Sequence, residues 1–169
     1  MNIWADFRKL LASLWLGATL FFSFAVAPSA FAVLPSTELA GDIVSRTLEI
    51  INYSGMIIGL ILLLTSFVFA PKGFLVWIER LLSVVLIAAC AVGQFYVGWQ
   101  MRSLRAQMQG PVERLATDDP LRVAFNMLHG YSVYVLLTGI IAALILFFMI
   151  VRRPKEIVAV RTNEFDLIK

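Results

Sequence analysis

The chain carries one cysteine and one histidine, and only 15% of its 169 residues are charged. A lone cysteine, Cys90, excludes an intramolecular disulfide and a Cys-rich metal site. One histidine beside one cysteine cannot supply the ligand set of a conventional zinc or copper centre within a monomer, so no metal site is expected. The sequence also lacks a nucleophile–base pair, a Gly-rich phosphate loop and a carboxylate pair, so no catalytic residue is assigned. Soluble domains carry about a quarter charged residues. Here 60% of residues are hydrophobic and the mean hydropathy is +0.87. One small core cannot hide that much apolar surface, so lipid must solvate part of it. The net charge of +3 is modest and gathers at segment ends. That distribution suits membrane orientation and argues against a nucleic-acid partner.

What is present is four long apolar runs, at about residues 10–31, 50–70, 81–99 and 125–151. Each has the roughly 20 apolar residues that a spanning helix needs. The expectation is an all-α, integral membrane four-helix bundle in one domain, with the bilayer as its principal partner and a tail over residues 152–169. Trp4, Trp77 and Trp99 fall near span ends, where interfacial aromatics belong. A basic start and Ala30-Phe31-Ala32 mimic a cleavable signal peptide. The first apolar run, about eighteen residues long, exceeds the roughly 7–15 of a signal core, so a retained helix is expected. With four spans, Arg8, Lys9, Lys72, Arg80, Arg152, Arg153, Lys155, Arg161 and Lys169 share one side. Arg46, Arg102, Arg105, Arg114 and Arg122 share the other. Nine against five predicts both termini in the cytoplasm, with a bacterial inner membrane as the location.

Two helices are expected to outrun the membrane. Ser36-Thr37-Glu38 after Pro35 is a helix-start signal, and Asp42–Arg46 has the i,i+4 spacing of a surface ion pair. If that helix runs unbroken to Ala70 it is ~50 Å long at 1.5 Å per residue. Met101, Leu104 and Met108 continue an apolar stripe past the third span until Gly110-Pro111 breaks it. Asp118-Asp119-Pro120 reads as an N-cap followed by proline at the first helical position.

Small residues at four-residue spacing, above all Gly55 and Gly59, predict close helix contact within the bundle, with self-association or a membrane-complex partner as the alternative. Trp15, Gly17 and Pro28 are further packing candidates. On the third span Glu79, Ser83, Cys90 and Gln94 lie on nearly one face. That stripe could wall a polar path with Glu79 as its gate. The favoured expectation is that Glu79 pairs with Lys72 or Arg80 at the interface while Gln94 bonds a neighbouring helix. On the fourth span Asn126, His129 and Ser132 share a face at i, i+3 and i+6. His129 is expected to be a neutral hydrogen bonder to a facing helix. Its alternative is haem ligation, since no other cofactor is expected.

These elements together resemble a known family. Leu14-Trp15-Leu16-Gly17 with Phe21-Phe22, then Ala27-Pro28, Leu34-Pro35, Ala40-Gly41 and Leu128-His129-Gly130-x-Ser132, make the chain similar to the transmembrane-protein-205-like family, a four-span domain of unknown function. The likeness runs from about residue 10 to 150. After Ala40-Gly41 the chain departs from that family's aromatic pattern, carrying Leu48-Glu49-Ile50-Ile51 with Tyr53 slightly later. The Trp-Leu-Gly start also looks like the copper resistance D-type membrane proteins and a bacterial membrane protoporphyrinogen oxidase. That distant resemblance implies a haem, metal or redox role. The residues themselves favour a non-enzymatic membrane protein in solute handling or envelope maintenance, with a haem-binding redox protein or a scaffold subunit as alternatives.

Overall fold

The computed structural model of the chain describes residues 3–69, 73–108 and 110–152. It is an all-α membrane bundle of four long helices: α1 (Ile3–Val33), α2 (Thr37–Phe69), α3 (Phe74–Gln107) and α4 (Pro120–Val151). A single 3-10 turn, Val112–Arg114, lies in the connection between α3 and α4. The expected pairing of Glu79 with Lys72 and nearly all of the tail over 152–169 fall outside the described residues. Each helix packs on its neighbours in sequence, and α4 closes the ring on α1. Large apolar side chains such as Phe24, Leu64, Leu81 and Ile141 stay exposed on the outside, which is the surface lipid would cover. Trp15, Leu62, Leu86 and Leu146 fill the axis.

Helix boundaries follow local chemistry. Ser36 Oγ accepts from the Leu39 N–H at 3.2 Å, starting α2 well before its apolar run. The 33 residues of α2 make it ~50 Å long, as the helix-start signal anticipates. The turn that ends α3 passes through Gly110 at φ 131°, where a side chain would be strained. Asp119 Oδ1 accepts from the Leu121 N–H at 2.8 Å, with Pro120 at the first helical position of α4. Asp119→Ala should therefore cost ~1 kcal/mol of stability, measured as a lower midpoint in a denaturant titration of the solubilised protein.

Two helices depart from regular α geometry. Phe22–Val26 in α1 and Val92–Val97 in α3 are π-helical, with Ala27 N–H bonding the Phe22 carbonyl and Gly98 N–H bonding the Gly93 carbonyl. Pro28 follows the first of these, and proline has no N–H to continue the ladder. Such single-turn bulges recur at functional sites.

Three packing expectations need correction. Asp42 does not pair with Arg46: Arg46 Nη1 bonds Glu49 at 2.8 Å, and Asp42 accepts from Arg105 of α3 at 3.0 Å. Across the helical surface a tertiary partner on α3 displaces the local one. Gly17 is exposed, with open space where its side chain would be, so it packs nothing among the described residues. Pro28 is exposed too and adjoins the bulge of α1, so it is not buried in a helix contact. Trp15, Gly55 and Gly59 are packing residues. Trp15 Nε1 donates to the Ile51 carbonyl at 3.0 Å. A Cβ on Gly55 would lie 2.5 Å from Cys90 Sγ, and one on Gly59 would lie 2.8 Å from Ile87. The Gly55–Gly59 face is thus occupied within the chain.

Candidate functional site

The two π-bulges face one cavity. It has a volume of about 1130 Å³ and lies in the half of the bundle that carries the α1–α2 and α3–α4 connections. Its lining reaches along α2 from Thr37 to Asn52, ~22 Å at 1.5 Å per residue. Ligand cavities usually measure about 300–1,000 Å³, so this one is large for a chain of this size.

The floor is polar and buried. Asn52 on α2 is 5% exposed and Gln94 on α3 is 4% exposed. Gln94 Nε2 donates to Glu49 Oε1 at 3.4 Å, and Glu49 in turn accepts from Arg46. Asn52 packs against Gly93 in the π-bulge of α3, where an added Cβ would sit 3.3 Å from its Nδ2. Its carboxamide makes no hydrogen bond to any described residue, so both its donor and its acceptor address the cavity. Phe22 and Leu136 supply apolar wall beside this floor.

The mouth is charged but balanced. Arg105 bonds Asp42 and sits over the Phe125 ring at 5.5 Å, tying the end of α3 to α2 and α4. Gly41 allows that approach, since a Cβ there would lie 2.7 Å from Arg105 Nη2. Arg122 donates to the Leu115 carbonyl at 2.8 Å. Arg102, Glu38 and Glu113 complete the rim.

The residues singled out from the sequence fall into two places. Asn126, His129, Ser132 and Gln94 line the cavity together. His129 is exposed, and its imidazole makes no hydrogen bond among the described residues. The expectation that it bonds a facing helix is corrected. The face it shares with Asn126 and Ser132 looks into the cavity, where no described side chain bonds the imidazole. Ser132 Oγ donates to the His129 carbonyl at 2.9 Å, an ordinary intrahelical bond.

Glu79 lies at the opposite end of the bundle. It is 0% exposed and forms an ion pair with Arg8 of α1, itself 3% exposed. Arg8 also donates to the Leu62 carbonyl at 3.4 Å. The interfacial pairing of Glu79 with Arg80 is therefore corrected: Arg80 bonds the buried Ser66 of α2 and stacks 3.9 Å over Phe67. Glu79 sits on the inner face of α3, where the ring of helices brings Arg8 across to it. Leu62, Leu86 and Leu146 separate this pair from the cavity floor.

Sequence reasoning missed Arg8, which reads as one more interfacial charge, and Asn52. The signal for Asn52 was present, as a lone carboxamide within an apolar helical segment. Among the described residues no group of three His, Cys, Asp or Glu side chains converges as a metal site would require.

A family model described as "Domain of unknown function (DUF4149)" matches residues 10–110. That stretch holds Asn52, Gln94, Arg105 and both π-bulges, while Asn126, His129 and Ser132 lie beyond it. No curated protein and no solved structure matches the chain.

Proposed function

The chain belongs to this family of unknown function, and we propose that it is a non-enzymatic membrane protein that binds a small solute in its one-sided cavity. The observation that carries this reading is the floor: two carboxamides, each at least nine-tenths buried, face a volume large enough for a ligand. Buried polar groups are costly unless they are hydrogen-bonded, so an unpartnered one facing a cavity marks a place where a ligand group would be stabilised. The count of nine basic residues against five supports cytoplasmic termini, and still does at eight when Arg8 is discounted as neutralised by Glu79. In a bacterial inner membrane the cavity then opens away from the cytoplasm. The Leu14–Gly17, Ala27-Pro28 and Leu128–Ser132 segments support kinship with the transmembrane-protein-205-like domains.

The test is accumulation in a strain lacking the chain. Cells complemented with the parent protein should differ from cells carrying Gln94→Leu in the retention of at least one solute in a panel of metals, drugs and amphiphiles. Identical retention across the panel, at equal protein levels, overturns solute handling.

His129 favours a second reading. Its imidazole lines the same cavity as Met101 and Met108, a residue pairing able to offer axial ligands to haem. Haem would supply redox chemistry, and His129 would hold it. Protein expressed with ample haem should then show a Soret band that His129→Ala abolishes. A purified parent protein without that band overturns this reading.

A further inference from the structure

We infer that the ligand of this cavity is an uncharged amphiphile from the lipid phase, held by its carbonyl or hydroxyl head on Asn52 and Gln94. This rests on the binding role proposed above and adds the ligand's class and its route.

The route follows from the bend of α1. Helix α4 packs on the Ile3–Phe21 part of α1, whereas beyond the π-bulge Ala27–Val33 packs on α2. The two helices part where the cavity begins. Pro28 and Phe31 on α1 and Asn126, His129 and Val133 on α4 all line the cavity, and all are exposed. They flank a lateral opening on the side of the bundle that lipid covers. A molecule can reach the floor through it with its tail left in the bilayer.

The head-group class follows from charge and burial. Arg46 pairs with Glu49 and Arg105 with Asp42, so two of the cations around the cavity are already neutralised by protein carboxylates. Formally the lining holds four arginines against four carboxylates. Asn52 lies 15 residues into α2, ~22 Å from its start, at the beginning of the apolar run over about residues 50–70. Desolvating a charged head on this buried floor is costly. Two carboxamides donate and accept hydrogen bonds equally well, which matches esters, ketones and alcohols.

The experiment uses the full chain in lipid nanodiscs, with tritiated monooleoylglycerol as the probe. Unlabelled glycerol, and lysophosphatidate with the same acyl chain, serve as competitors. Saturable binding should be displaced by unlabelled monooleoylglycerol, weakly by lysophosphatidate and not by glycerol. Asn52→Leu should weaken affinity about tenfold, the value of roughly one hydrogen bond. Should that variant fail to fold, Val133→Trp on the exposed flank of the opening should slow uptake several-fold without unfolding the bundle. Displacement by glycerol overturns the lipid-phase assignment and leaves the cavity as a site for aqueous solutes. Stronger displacement by lysophosphatidate overturns the uncharged head. Failure of monooleoylglycerol to bind, or parental binding and uptake in both variants, overturns the inference as a whole. The broader binding role stands or falls separately, on the retention assay with Gln94→Leu.

Discussion

Glu79→Ala should destabilise the bundle by about 3–5 kcal/mol, and Arg8→Ala by a similar amount, because each strips a buried charge of its ionic partner. Arg8 and Glu79 are 3% and 0% exposed and meet across the interior between α1 and α3, helices that otherwise touch little. The pair is embedded in further bonds. Arg8 reaches the Leu62 carbonyl, and Ser83 Oγ donates to the Glu79 carbonyl at 2.9 Å. A buried ion pair is weak evidence of net stability, since desolvation offsets most of its attraction. The double replacement Arg8→Met with Glu79→Leu should therefore recover most of the loss. Unfolding midpoints of the four proteins in a denaturing-detergent titration test this. Single variants as stable as the double variant would show that the charges are not desolvated together.

The second large effect is expected at the seam of α1, α2 and α3. Trp15→Ala should cost about 3–5 kcal/mol, combining lost contact with an unfilled cavity. Trp15 is almost wholly buried, donates to the Ile51 carbonyl and lies against Gly55 and Gly139. Gly55→Ala attacks the same seam from the other side. Its Cβ would stand 2.5 Å from Cys90 Sγ and 2.7 Å from Trp15 Nε1, and overpacking of this kind costs about 1–3 kcal/mol. Gly17→Ala is the control. Nothing lies within 4 Å of its Cβ position, and helix propensity favours alanine by about 1 kcal/mol, so stability should hold or rise. Because Gly55 and Trp15 share one contact, the damage of Gly55→Ala should shrink when Trp15 is already Ala. Strict additivity of the two would place their strain in different sites.

Local chemistry made much of this fold legible from the sequence. The Ser36 and Asp119 caps, the run of α3 to Gln107 and the ending at Gly110-Pro111 all depend on side chains within a few residues of one another. The inward stripe of Glu79, Ser83, Cys90 and Gln94 was readable from helical periodicity alone, and all four are buried. Partners were less readable. Asp42 and Arg105 are separated by 63 positions, so nothing local distinguishes that pairing from the closer Asp42–Arg46 option. Glu79 likewise finds its partner through tertiary packing. Apolar periodicity also does not tell an i→i−5 bond from an i→i−4 bond, so the π-bulges and the parting of α1 from α4 could not be read. Helical spacing puts Asn126, His129 and Ser132 on one face. What the sequence could not say was that this face meets open volume.

The central claim is that a cavity opens at one end of the bundle and runs to a buried polar floor at Asn52 and Gln94. Thiol labelling by a membrane-impermeant maleimide tests it most directly. Single cysteines at Asn126, Ser132 and Gln94, placed in oriented vesicles, should react only from the face bearing the α1–α2 and α3–α4 connections. Asn126→Cys should react fastest, Ser132→Cys next and Gln94→Cys slowly. The native Cys90, buried against Gly55, provides an unreactive internal control. Labelling in that order, with Cys90 silent, is the predicted result. Unreactive cysteines at positions 126 and 132 from both faces, or reaction of Gln94→Cys from the opposite face, would contradict it.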